Sequence, residues 1–181
     1  MNPISARYKI PLLISLVISL ALIAFRAESY WLNAIYIFLG GIVGFIFLDM
    51  EYLIYAYVID PMTDIAAEIK SYLAQKNIKE FLRFINENEH TFGEVSIRSM
   101  LFQVTLCVFT LYVVTTNSWV FVQSMCLSML ASLIYYQIIE FQRTRTLERW
   151  FWIYSGKLSE GFYKAYVFVM FLIFIVQFSF I

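Results

Sequence analysis

Residues 30–61 read YWLNAIYIFLGGIVGFIFLDMEYLIYAYVIDP, and how this stretch sits decides the fold. Its length and apolarity predict one long helix with two acids, Asp49 and Glu51, set inside the run. A carboxylate at the middle of a bilayer costs roughly 3 kcal/mol on insertion scales, so acids at that depth are rare and tied to function. The depth of these two acids is therefore a functional question.

Two registers are open. Counted from Trp31, eighteen residues reach Leu48, which is about 27 Å of helix. The acids then lie at the cytosolic interface, with Tyr52, Tyr55 and Tyr57 as an inner aromatic belt. The other register comes from an internal echo. LIYAYVID at 53–60 aligns with LIYYQIIE at 133–140, which hints at two parallel hairpin repeats. If the echo sets depth, Asp60 matches Glu140 and both acids fall near the bilayer middle. Aromatic residues at both ends of the stretch favour the interfacial register.

Residues two apart on a helix point about 200° apart, so Asp49 and Glu51 cannot form one site without a group from another helix. Arg98, Arg143 and Arg145 are the cations expected near the same membrane face. Asp49, Glu51, Glu140 and Arg143 are thus the candidate ion site or structural ion-pair network, with the structural pairing preferred.

The same stretch carries Gly40, Gly41 and Gly44. A GxxxG spacing lets two helix backbones approach closely in lipid. Ser124, Ser128 and Ser132 recur every four residues and give a later helix a matching small, weakly polar stripe. Both sets read as helix-packing seams.

Outside this stretch, composition points the same way. The chain has 181 residues, 61% hydrophobic and only 14% charged, against about 25% charged in soluble domains. An all-α membrane protein is expected, a bundle of about five transmembrane helices near 10–26, 31–50, 98–115, 118–140 and 162–181. The basic start before the first run resembles a signal peptide but lacks a clean cleavage site, so an uncleaved span is expected.

Asp60-Pro61 should end the second span, because a residue before proline is pushed out of the helical region. The same pair should cap the next helix. From 61 to 89 the pattern becomes amphipathic. Ile65, Ile69, Tyr72 and Leu73 share one face, and Ile78, Phe81, Leu82 and Ile85 share another after a turn at Lys76-Asn77. This predicts a cytosolic helical hairpin whose apolar faces lie on the membrane, on the span ends or on a partner. Phe81, Leu82 and Ile85 are the candidate docking residues. Residues 144–155 predict an interfacial amphipathic helix, with Leu147, Trp150, Phe151 and Tyr154 on one face beside three arginines.

Lys and Arg set the orientation. The N-terminal tail holds two, segment 60–98 five and segment 140–164 five, twelve in all, against Arg26 alone on the other side. Positive residues stay inside, so the N-terminus is expected in the cytosol and the C-terminus outside.

Zero net charge offers no field for nucleic acid. Cys107, Cys126 and the single His90 make no disulfide framework or zinc set. No GxSxG, HExxH or facing aspartate pair occurs, and Ser155-Gly156-Lys157 lacks the earlier glycine of a phosphate loop. No enzyme, cofactor or metal is expected. The functional expectation is a scaffold or interaction subunit in the lipid bilayer. It would associate with itself or with a second membrane or cytosolic protein through the hairpin's apolar face or the last span. The alternative is a small cation or proton channel or transporter using Asp49 and Glu51.

Overall fold

The computed structural model describes residues 3–26, 30–88, 97–116, 119–154, 156 and 158–181. The loop at 27–29, the stretch 89–96 with His90, and the turn residues 117–118 lie outside the described residues, as do positions 155 and 157. Among the described residues the chain is all-helical and contains no strand.

In chain order, α1 is Pro3–Arg26, α2 is Trp31–Phe47, and α3 is Met50–Ile54 followed by a π-helical turn, Tyr55–Ile59. Then come α4 (Asp64–Ala74), α5 (Ile78–Asn88), α6 (Met100–Thr115), α7 (Val120–Thr144), a 3-10 turn (Glu148–Phe151) and α8 (Glu160–Phe178). Three helices, α1, α7 and α8, are long and apolar enough to cross a membrane, and a fourth joins them if α2 and α3 count as one bent span. Helix α6 is apolar but shorter, at 16 residues.

The hub is α7. Of its most apolar window, 67% is buried, against 28% for α1 and 22% for α8. A helix apolar on every side belongs in an interior, and the Ser124, Ser128 and Ser132 stripe lets α7 be approached closely there. Helices α1, α2, α6 and α8 surround it and alternate in direction. Tyr8 meets Phe45, Arg98 pairs with Asp49 and stacks on Tyr136, and Phe151 meets Phe162, which gathers one set of ends. At the other end Phe25 meets Phe178, and Arg26 donates to Gln123, which in turn donates to the Val113 carbonyl.

The long helix expected over residues 30–59 is broken. Helices α2 and α3 meet at a 45° bend after Phe47. At the bend the Asp49 N–H donates to the Ile46 carbonyl and Tyr52 N–H to the Asp49 carbonyl, one residue tighter than α-helical spacing. The second half then loosens into the π turn, where Asp60 N–H reaches back to the Tyr55 carbonyl at 3.1 Å. Pro61 forbids the helix to continue through Asp60.

Asp60-Pro61 does not cap α4. The cap is Thr63, whose hydroxyl accepts from Ala66 N–H at 3.3 Å and donates to the Asp60 carbonyl at 3.0 Å. The α4–α5 turn falls at Lys76-Asn77, as the periodicity predicts. Lys76 takes a left-handed φ of 54°, with Asn77 N–H on the Tyr72 carbonyl and Lys76 N–H on Leu73, a Schellman-type helix stop.

The pair α4–α5 lies on the chain itself. Phe81 and Ile85 are buried with Ala66 and Ile69 against Tyr52, Tyr55 and Ala56, and Leu82 packs at the margin. Of the places open to the hairpin's apolar face, it takes the end of the bent α2–α3 segment, so the docking assignment of Phe81, Leu82 and Ile85 is corrected: α3 and its π turn already cover that face. The physical reason is the bend, which swings Tyr52, Tyr55 and Ala56 toward the hairpin.

The interfacial helix expected at 144–155 is also corrected. Helix α7 stops where Arg145 adopts a left-handed φ of 58°, and only the short 3-10 turn follows. Leu147, Trp150 and Phe151 are buried in the main core beside Leu133, Tyr163 and Tyr166. Trp152, Ile153 and Tyr154 remain exposed.

Candidate functional site

Arg98 organises the site. It stands just before α6, is only 4% exposed, and meets both acids of the α2–α3 break. Its Nη2 lies 3.4 Å from Asp49 Oδ1, its backbone N–H donates to Glu51 Oε2 at 3.1 Å, and its Nε is 3.8 Å from the same oxygen. Nη1 donates to the Tyr52 hydroxyl at 3.1 Å. The guanidinium also stacks on the Tyr136 ring, 4.4 Å from its centroid, a cation–π contact that strengthens when water is excluded.

The bend brings together what a straight helix would hold apart. Two residues apart on a regular helix, Asp49 and Glu51 would face nearly opposite directions. The tightened turn at Asp49 turns both toward one cation. Glu51 is 1% exposed. A buried pair of this kind gives little net stability compared with apolar residues, but loss of one member strands the other and costs about 3–5 kcal/mol.

The other expected members go elsewhere. Glu140 accepts from Trp150 Nε1 at 2.9 Å and holds the 3-10 turn against the end of α7. Arg143 is exposed, and no described ion pair joins it to Glu140. The Asp49–Glu51–Glu140–Arg143 network is therefore not one assembly, because the left-handed turn at Arg145 folds Trp150, not Arg143, onto Glu140.

Next to this cluster is a polar triad inside the apolar core. Gln103 and Gln137 exchange amide hydrogen bonds of 3.2 and 2.6 Å, and the Tyr166 hydroxyl donates to Gln103 Oε1 at 2.8 Å. One such set joins α6, α7 and α8. Further along, Gln177 Nε2 donates to the Cys107 carbonyl at 2.8 Å. Isolated glutamines in apolar runs each demand a partner. That demand is the signal for the triad, although the pairing itself cannot be read from spacing.

The small-residue seam forms between α2 and α7. A Cβ added at Gly40 would strike the Phe121 carbonyl, and one at Gly44 the Met125 carbonyl, so backbone lies directly on backbone. Gly41 faces the hydroxyls of Ser15 and Ser19. Ser124 Oγ donates to the Ile37 carbonyl at 2.6 Å, and Ser128 Oγ to the Gly41 carbonyl at 2.9 Å. Ser132 is also fully buried, with no hydrogen-bond partner for its hydroxyl among the described residues.

These features define the class: an all-helical bundle with several helices able to cross a membrane, closed by a glycine–serine seam and a buried charge cluster. In comparisons with known proteins, no family model, curated protein or solved structure matches the chain. Among the described residues no group of three or more His, Cys, Asp or Glu side chains could hold a metal ion.

Proposed function

We propose that the protein is a five-span membrane scaffold or interaction subunit, with its N-terminus cytosolic and its C-terminus outside. The alternation of α1, bent α2–α3, α6, α7 and α8 through one bundle supports the span count. Twelve Lys and Arg residues in segments leading to one set of helix ends, against Arg26 at the other, support the orientation.

The carrying observation is where the buried polar groups point. Asp49, Arg98, Gln103, Gln137 and Tyr166 bond to other parts of the same chain. Such groups fix helix positions, and these five are engaged within the chain and not turned to a solute path. The outer face of α8, in contrast, exposes Phe168, Phe171, Leu172 and Ile175. With Phe81 and Ile85 occupied internally, that face is the surface through which a second copy or another membrane protein would dock.

Cys107 and Cys126 are both buried, so a Leu172→Cys variant offers one accessible thiol for oxidative cross-linking in native membranes. A discrete adduct of higher mass supports the scaffold, and monomer alone at full oxidation counts against it. A C-terminal tag reached only from the cytosolic side would refute the five-span topology.

The channel or transporter reading draws on a different observation. Acids within apolar helices mark ion and proton pathways, and broken helices build the ion sites of some transporters. The Arg98 pairing weighs against it, since the cation position near Asp49 is taken by a guanidinium. Cation or proton flux in proteoliposomes, abolished by Asp49→Asn, would reverse the preference.

A further inference from the structure

Beyond the role of Arg98, the charge cluster contains two groups that its hydrogen bonds leave over. Glu51 uses Oε2 for Arg98, while its other oxygen, Oε1, is buried and has no hydrogen-bond partner. Arg149, in the 3-10 turn after α7, likewise buries Nε and Nη2 without a partner. Those two nitrogens form one edge of the guanidinium, the edge that grips a carboxylate in bidentate fashion.

The surrounding packing puts the two groups in one neighbourhood. Leu48 from the helix break, Ile97 beside Arg98, and Leu147 and Trp150 beside Arg149 belong to a single buried cluster. Arg149 is close enough for its charge to act on the Glu51 carboxylate, as do those of Arg98 and Asp49. Asp49, Glu51, Arg98 and Arg149 together are electrically balanced. Removing Arg149 leaves the acids one positive charge short among apolar side chains, which is costly whether Glu51 stays ionised or takes up a proton.

We propose that Arg149 is the second counter-ion of Glu51 and a positioning residue that ties the segment after α7 to the α2–α3 break. Arg98 anchors the start of α6 to the same carboxylate, so Glu51 becomes the point where three separate stretches of chain are held. Arg149 thereby also positions Trp150 for its bond to Glu140.

The test is a double-mutant cycle on the full chain in detergent, read as the thermal unfolding midpoint by tryptophan fluorescence. Arg149→Gln should lower the midpoint clearly in the wild-type background and leave it nearly unmoved when Glu51→Gln is already present. Exposed Arg143→Gln should leave the midpoint unchanged in both backgrounds. Equal losses from Arg149→Gln with and without Glu51 would overturn the proposal, because a merely packed arginine behaves that way. Should Glu51→Gln fail to fold, Arg149→Lys decides. Recovery of at least half of the Arg149→Gln loss supports a counter-ion, and a loss as large as that of Arg149→Gln overturns it.

Discussion

The two ends of the α2–α7 contact solve the same problem in opposite ways. Around Gly40 and Gly44 the helices meet by removing side chains, and the serine hydroxyls of α7 donate to α2 carbonyls. At Asp49 and Glu51, a few residues further along, the chain instead buries charge and neutralises it with Arg98. The seam depends on shape and tolerates little added volume. The cluster depends on balance, and tolerates change only when charges are altered together.

The largest expected effect is at the cluster. Arg98→Met leaves the cluster one positive charge short and should cost about 3–5 kcal/mol, measured by thermal or denaturant unfolding of the solubilised protein. The paired replacement Asp49→Asn with Arg98→Met, which leaves Glu51 and Arg149 in balance, should recover most of that loss. If the paired variant is worse than Arg98→Met alone, charge balance does not govern this end. Raised salt should leave the wild-type cluster largely unaffected, since buried pairs are weakly screened.

Next comes the seam. Gly44→Leu drives a side chain into the Met125 backbone and should cost about 3 kcal/mol, while Gly44→Ala should cost less. An unfolding midpoint indifferent to both would show that α2 and α7 can separate without penalty. Between the two regions, Gln137→Leu leaves the buried Gln103 amide short of its partner, at a cost of about 1–3 kcal/mol. Leu at both 103 and 137 together with Tyr166→Phe should be milder than Gln137→Leu alone, a comparison readable in the same unfolding assay. The smallest effect belongs to Ser128→Ala. It removes one hydroxyl bond to the Gly41 carbonyl and should cost about 0.6 kcal/mol; a loss as large as that of Gly44→Leu would make the seam polar rather than steric.

Legibility in the sequence follows the same division. The seam is written locally, since Gly40 and Gly44 lie one helical turn apart and Ser124, Ser128 and Ser132 repeat at that interval. The amphipathic faces of α4 and α5 and their turn at Lys76-Asn77 are local as well. The cluster joins residues 47 to 49 positions apart, and no spacing rule connects them. Arg98 could be named as an available cation, but Arg143 and Arg145 looked equally available. The echo between 53–60 and 133–140 shows the limit most clearly. Similar residues form a loosened π turn ending at Ile59 in one place and the uninterrupted middle of the α7 C-terminal half in the other.

By itself, the sequence determined an all-helical chain of long apolar runs, because lipid-compatible composition and 3.6-residue periodicity act within one helix at a time. It also determined where the chain could be approached closely, because a missing Cβ is a property of the residue. Only the tertiary structure decided which cation meets Asp49 and Glu51, that Trp150 rather than Arg143 meets Glu140, and that the hairpin covers Tyr52 and Tyr55. Each of those outcomes depends on the 45° bend after Phe47 or the left-handed turn at Arg145. A helix break redirects every side chain beyond it, so its consequences are fixed by packing between distant segments rather than by the pattern of any one of them.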